Sequence, residues 1–562
     1  MRNRNKFLNI LSTYIFIFCI ACIVYSCNTA SSNDFKEAKT QNTVKAWKKF
    51  IEKNPDSDIT EKAKELRDKL IFDSIKALNS LSAIEKFIEE NPNSVFITEA
   101  KAIFAKDGEL NVVVGTFRGN ETRNYYGNYA PSKLNLKWKF NLGSGQSFAY
   151  GKMYTWSGAG WTGQPLVVIE KGKKYIVQGA FDYHLRKIDA ETGKEIWRYK
   201  FDDILKGTGT IWHNPNAANE EEKCIIMQGS RRGQKGKITA NYAPSFRAVS
   251  FFSGKELWRL NSKKTDSYSQ DVDGSPLVWK DTAYLGLENG ILSIYNPDKQ
   301  NASMQDEMFQ PQIYKQLKLY ATSDIKTHGG NLVTESCPAY LNGRIYIASG
   351  SGHVYGYNIQ TGQLDWDFFI GSDMDGSPVV TDDNCILVSL EKEYIKGRGG
   401  VYKLDPSKEP NDAVVWFCPT QNFKFFTWAG GIIGTVAVND YYYENDEVRL
   451  AAFTGIDGYM YVVNHKKLSD KMEIGTDGVT KYPSPEIVFK YKVGSSISSP
   501  IIVKDKIIAA GYNGIYLFEY TNDMKFKLLD QRQGTFEATP IVYDGCVYIA
   551  SNGDGFLYCL GE

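Results

Sequence analysis

The sequence predicts an all-β fold, an eight-bladed β-propeller preceded by a small N-terminal α-helical repeat module. Three observations carry that expectation. A Gly-turn followed by Trp recurs at strand-like runs: Thr192-Gly193 with Trp197, Ser253-Gly254 with Trp258, Thr361-Gly362 with Trp366, and more loosely Asp405-Pro406 with Trp416. A small or polar residue followed by Pro and an apolar run recurs at Pro165, Pro276, Pro378, Pro500 and Pro540. Pro215 and Pro338 hold the same place more loosely, and "GTVAV" at Thr435 fills the remaining one. Between landmarks lie two more β-branched and aromatic runs joined by a turn, such as "RIYIASGSGHVYGYN". Four strands per unit, repeated eight times, is the pattern of propeller blades.

At 562 residues the chain is longer than one growing core sustains, which fits a repeat array. Its 14% aromatic content, with 35 Tyr and 49 Gly, suits β structure rich in tight turns. A net charge of +1 with no long basic run argues against nucleic acid as a partner. Residues 1–27 read as a signal peptide: a basic "MRNRNK", an apolar "FLNILSTYIFIFCIACIV" and "VYSC" ending at Cys27. The residues leading into Cys27 resemble the bacterial lipobox, which implies lipidation of Cys27 and a membrane anchor. An ordinary secretory signal and an uncleaved anchor helix are the other readings. Asn28 follows the Cys rather than Asp, so the same resemblance implies an outer-membrane lipoprotein of the cell envelope, periplasmic or surface-facing.

Residues 28–110 have helical composition and an internal duplication. "AWKKFIEKNPDSDITEKAKEL" aligns with "AIEKFIEENPNSVFITEAKAI", Asn54-Pro55 returning as Asn91-Pro92. Each Asn-Pro ends a helix, because the residue before Pro avoids the α region. The pairs resemble tetratricopeptide-like repeats, and a spacer or a peptide-docking module are both open for them.

The propeller is expected over 130–562. Its last unit, "CVYIASNGDGFLYCL", lacks an outer strand, and "LNLKWKFNL" with Trp138 supplies one, closing the ring without a free edge. These repeats resemble the pyrroloquinoline-quinone (PQQ) propellers; Thr192-Gly193-Lys194-Glu195-Ile196-Trp197 follows the docking motif of that family closely. The resemblance implies that Trp138, Trp197, Trp258, Trp366 and Trp416 pack onto neighbouring blades. The family holds quinone-dependent dehydrogenases, which pair PQQ with Ca²⁺ held by Glu, Asn and Asp and often carry a disulfide between adjacent Cys. It also holds non-enzymatic scaffolds, among them the propeller lipoprotein of outer-membrane protein assembly. This chain has no adjacent Cys, and no motif places the dehydrogenase metal or catalytic residues, so no catalytic residue is assigned, and PQQ and Ca²⁺ rest on the resemblance alone.

In a propeller, the turns leading into the innermost strand and those between the second and third strands share one face. That face is expected to carry Trp161, Asp182, His184, Trp212, Arg231, Arg232, Asp271, Asp273, Glu288, Glu335, Asp373, Asp375, Glu391, Lys392 and Trp428. Convergent carboxylates with aromatics suit a cation or a sugar stacked on Trp; Asp before Gly-Ser also caps turns with no ligand involved. Arg231 and Arg232, in the insertion "SRRGQKGKITANYAPSF", read as partner contacts. No Gly-x-Ser-x-Gly, His-Glu-x-x-His or Walker loop occurs, and the five His are scattered. Cys546 and Cys559 flank a hairpin, a placement that suits either a cross-strand disulfide or two buried thiols. The expected function is an envelope scaffold whose partners are envelope or outer-membrane proteins. A quinoprotein-like or carbohydrate-active enzyme using the acidic mouth is the alternative.

Overall fold

A computed structural model describes residues 31–78, 81–106, 110–149, 151–232, 242–305, 307–442 and 448–562. The signal segment and Cys27 lie outside the described residues. The chain divides into two compact units, Met1–Asn111 and Val112–Glu562.

In the first unit a helix through 31–41 is followed by Val44–Lys53, Thr60–Leu78, Leu81–Glu90 and Ile97–Lys106. The duplication survives at the level of single hydrogen bonds. The Asn54 side chain donates to Phe50 O (3.1 Å) and the Asn91 side chain to Phe87 O (3.2 Å), so each Asn ties off the helix end that its Pro enforces. Phe50 with Trp47 and Ala63 forms one small core, and Phe87 with Phe72 and Ala100 the other.

The second unit is a closed ring of eight sheets; seven have four strands, and the blade 1 sheet has a fifth, ending at Val114, beside its innermost strand. Blade 1 runs from Leu166 to Lys200, blade 2 from Thr210 to Lys263, blade 3 from Leu277 to Lys318 and blade 4 from Ala339 to Phe369. Blade 5 runs from Val379 to Pro419, blade 6 from Ala437 to Lys492 and blade 7 from Ile501 to Arg532. Blade 8 takes its inner three strands from Ile541–Gly561, and its outer strand is Asn135–Asn141, with Trp138 opposite Cys559. The first and last parts of the chain thus close the ring in one sheet.

The Gly-turn and the Trp belong to adjacent blades. The indole N–H of Trp138 donates to Ala190 O, Trp197 to Phe251 O, Trp258 to Pro297 O, Trp366 to Lys408 O and Trp416 to His465 O, all at 2.9–3.0 Å. Each acceptor lies in the next blade round the ring. Gly254 holds φ +74°, and a Cβ there would sit 2.8 Å from Trp197. Gly193 stands in the same relation to Trp138. Glycine is required at these turns both by the left-handed backbone and by the ring lying against it.

The second landmark builds a belt around the channel. The Ser275 N–H donates to Cys337 Sγ (3.1 Å), Cys337 N–H to Ser377 Oγ (2.9 Å), Ser377 N–H to Thr435 Oγ1 (3.0 Å) and Thr435 N–H to Ser499 Oγ (2.8 Å). The small polar residue before Pro therefore passes one backbone hydrogen bond per blade to its neighbour, satisfying amides that no strand pairs. In blade 2 the place falls to Thr208, whose carbonyl accepts from Ser275 Oγ at 2.6 Å. Pro215 does not hold it: it follows the innermost strand Thr210–His213 instead of preceding it.

Residues 112–129, outside the expected boundary of 130, belong to the propeller unit. Gly115, Glu121, Thr122 and Tyr126 accept backbone hydrogen bonds from Ile211, Tyr340, Val380 and Val542, the inner strands of four blades. Arg118 donates to Pro500 O (2.7 Å) and Val436 O (2.8 Å), and Arg123 to Pro338 O (2.8 Å). Both arginines are fully buried. This segment is a plug in the channel, bonded across the ring to blades far apart in sequence.

Cys546 and Cys559 are free, buried thiols. Cys546 stands opposite Gly561 and Cys559 opposite Tyr548, which makes the two diagonal neighbours on one face of the sheet.

Candidate functional site: an acidic channel mouth

One position in every blade faces the mouth, two residues before the belt. Read round the ring it is Thr162, Lys206, Asp273, Glu335, Asp375, Ile433, Ile497 and Glu537. The residue between this position and the belt is always Gly, Ser or Ala. The reason is steric: a Cβ on Gly207 would come within 2.0 Å of Asp273 O in the next blade. The ring thus carries ionisable residues on blades 2–5 and 8 and is apolar on blades 6 and 7.

On the apolar side, Ile433 and Ile497 pack with Trp161 and Ile456, and Phe425, Trp428 and Tyr512 lie against them. On the charged side the turns between second and third strands add Glu288 and Glu391, and Asp271 and Asp373 stand two residues before Asp273 and Asp375. Two triads of carboxylates result, Asp273–Glu288–Glu335 and Asp373–Asp375–Glu391, in each of which one ligand oxygen per residue lies within 4.8 Å of the others. Burial raises the carboxyls of Glu335 and Asp373 to about 7 each. Burial, then the charges of Glu335, Asp373 and Glu391, lift Asp375 well above the usual range.

The triads differ in one respect. Lys206 forms an ion pair with Asp273, and its Nζ is 3.8 Å from Glu335. Burial works against its charge, but Asp273, Glu335 and Glu288 hold the ammonium well above its ordinary value. Ser269 Oγ adds a donor to Glu288 (2.6 Å). Around Asp373 the polar neighbour is the Asn331 amide, 2.6 Å from Oδ2; its Oδ1 has no hydrogen-bond partner, although the residue is only 7% exposed.

The remaining sequence candidates are placed elsewhere. Asp182 is held by Arg186 (2.8 Å) and His184 in a local turn, outside both triads. Trp212 lies at the far end of its strand, its indole on Asp281 of the blade 3 inner turn (3.2 Å), because blade 2 starts earlier than Pro215 suggested. Lys392 turns back to Ile395 O (2.7 Å) and Lys396 O (3.2 Å). Arg231 is held within the chain: its Nε donates to Asp271 (2.7 Å) and its NH1 to Ser147 (3.2 Å). Arg232 is half-buried, and its backbone N–H donates to Asp271 (3.0 Å). Lys206 and Asn331 were not among the residues expected from the sequence; the Asn331 Oδ1 accepts from the Tyr268 hydroxyl (3.3 Å). Lys206 had a signal, since "KGT" aligns with "DGS" at the belt.

The quinone of the dehydrogenases whose repeats these resemble is a planar tricarboxylate. Lys206 and Arg231, the bases in contact with this acidic half, are already paired with Asp273 and Asp271. A tricarboxylate placed among these acids would find no unpaired base to neutralise it, so the residues do not fit it. They do fit a hard cation: three carboxylates per triad, all oxygen donors, within the spacing one ion spans.

Comparisons with known proteins agree with the fold. Residues 135–408, just under half of the chain, match the family described as outer membrane protein assembly factor BamB. Similar solved structures include BamB from Moraxella catarrhalis, 11% identical, aligned over 76% of this chain and 100% of that one with a TM-score of 0.46. The quinohemoprotein alcohol dehydrogenase from Comamonas testosteroni is 13% identical over 80% of each chain, with a TM-score of 0.50. A europium-containing methanol dehydrogenase is 13% identical over 78% of this chain and 89% of that one, with a TM-score of 0.47. No curated protein matches the chain. At these identities the likeness is one of fold.

Proposed function

From the premise that this chain is an eight-bladed propeller of the PQQ-like, BamB-like kind, we propose that it is a non-catalytic binding scaffold of the bacterial cell envelope. Cys27 is its lipid anchor, outer-membrane protein assembly its setting and other envelope proteins its partners. One observation carries the reading. Two hairpins, Ser144–Ala149 with Lys152–Ser157 and Asn422–Phe425 with Trp428–Gly430, are additions to the four-strand blade pattern, inserted between an outer strand and the next inner one. Both rise on the face of the mouth and hold Phe148, Met153, Phe423 and Phe426 out in solvent, Phe426 at 71% exposure. Apolar side chains displayed on stiff hairpins favour a protein partner.

The test is site-specific photo-cross-linking in native membranes. A photoreactive residue at Phe148 or Phe426 should yield a discrete adduct with an envelope protein, and one at Lys504, in an inner turn on the opposite rim, should not. No adduct at either hairpin, or equal adducts at Lys504, overturns the reading. Palmitate labelling that is lost in Cys27→Ala checks the anchor.

A further inference from the structure

We propose that a cavity at the mouth-side end of blade 7 is a binding site for an anionic saccharide, with Tyr516 and Arg532 as its principal contacts.

The cavity has a volume of about 530 Å³, within the range of roughly 300–1,000 Å³ that small-molecule sites span. On one side are Tyr512 and Asn513, the turn joining the second and third strands of the blade. On the other are residues 531–535, where the chain leaves the outer strand Phe526–Arg532. Tyr516 stands opposite Gln531 across the two outermost strands, so a ring and an amide share one wall. The Tyr512 ring is braced by Phe425, 4.7 Å away between centroids.

The lining selects the ligand. It holds two tyrosine rings, one guanidinium, three side-chain amides and a hydroxyl, and no Val, Leu, Ile or Met. A lipid tail or an aliphatic side chain finds little to pack on there. The amides of Asn513, Gln531 and Gln533 make no side-chain hydrogen bond among the described residues, so their donors and acceptors stand unengaged by the chain. A saccharide answers both features. Its hydroxyls pair with amides, and its C–H edges carry the partial positive charge that the face of an aromatic ring attracts.

Arg532 sets the charge. It is half-buried, and its guanidinium lies 5.2 Å from the Tyr558 ring centroid and donates to that hydroxyl. Arg186, Arg231, Arg247, Arg259 and Arg344 all form ion pairs with carboxylates, whereas Arg532 takes part in none among the described residues. The neighbouring acids are otherwise held: Glu537 accepts from the Tyr512 hydroxyl (2.7 Å) and Asp554 from that of Tyr558. A guanidinium fixed by stacking and left without an internal anion is a ready partner for a carboxylate or phosphate on the sugar.

The experiment applies the full-length protein in mild detergent to an array of oligosaccharides bearing uronic acid, sialic acid, muramic acid or sugar phosphate, each beside its neutral counterpart. The strongest binders are then titrated calorimetrically. Anionic members should bind about tenfold or more tightly than their neutral counterparts, and which of them bind tells carboxylate from phosphate. Arg532→Gln should erase that preference, a loss of about tenfold. Tyr516→Ala should weaken anionic and neutral sugars alike, while Tyr516→Phe, which keeps the ring, should bind nearly as the wild type does. Gln533→Trp, at an exposed residue, should fill the cavity and abolish binding at an unchanged melting temperature, which covers the case that Arg532→Gln loosens the fold. The proposal is overturned if no anionic saccharide binds, if neutral counterparts bind equally well, or if a normally melting Gln533→Trp binds as the wild type does.

Discussion

Gly254→Ala tests the docking of blade on blade. The methyl group brings two separable costs. A non-glycine residue in the left-handed region costs roughly 1–2 kcal/mol, and Gly254 sits at φ +74°. The new Cβ also meets Trp197 at 2.8 Å from Cε3 and 2.9 Å from Cδ2, and forcing a packed ring aside costs typically about 1–3 kcal/mol. The expected loss for Gly254→Ala is therefore about 2–5 kcal/mol. Only the second part depends on the indole. In Trp197→Ala the clash is gone, so adding Gly254→Ala to that background should cost only the backbone part. Urea unfolding of the four proteins, followed by far-ultraviolet circular dichroism, gives the coupling directly. A coupling of about 1–3 kcal/mol is expected, with the double variant less damaged than the sum of the singles. Additivity within about 0.5 kcal/mol would refute the claim that the glycine is there for the tryptophan, because sites that do not touch add to that tolerance.

Two further outcomes follow from the belt and from the surface. Ser377→Ala removes the acceptor of the buried Cys337 N–H (2.9 Å) and should cost about 1–3 kcal/mol in the same unfolding assay; Ser377→Thr, which keeps the hydroxyl, should recover part of it. The Arg344 guanidinium, through its hydrogen bond, holds the Asp365 carboxyl below its ordinary value. Its stabilising share is then fully present above about pH 4, the unfolded value, and is lost as the pH falls through the lower folded value. Asp365→Asn should therefore differ most from the wild type above pH 4 and converge with it in stronger acid, measured as melting temperature against pH.

The blade number was legible in the sequence because both landmarks have a local physical cause that recurs from blade to blade. A left-handed turn against an indole needs Gly, and an unpaired amide in the channel needs a small acceptor one blade on. Blade 2 lacks the signal because its belt residue, Thr208, is followed by Gly209 in place of Pro, and the nearest Pro, Pro215, lies beyond the strand. Trp212 was misplaced with it. The carboxylates of the mouth were legible from "DVDGSP" and "DMDGSP", whereas Lys206 was hidden because only alignment on the belt sets it beside those acids. The plug had no such signature. "FRGNETRNYYGNY" lacks strand alternation, and its partners lie in distant blades, so only the closed ring reveals what Arg118 and Arg123 neutralise.

The plug and the closing strand also govern when this protein can finish folding. The closing strand lies before blade 1 but waits for the far end of the chain: Trp138 pairs with Cys559, and Ser132 N–H bonds Glu562 across 430 residues. The plug is partnered in stages, by Ile211 of blade 2, by Tyr340 and Val380 of blades 4 and 5, and by Val542 of blade 8. Until the last blade is in place the molecule carries an open sheet edge, the kind of surface that invites pairing with another chain. Closure is a single late event, and a chain cut short by its last twenty or so residues would hold most of its plug and still lack its ring.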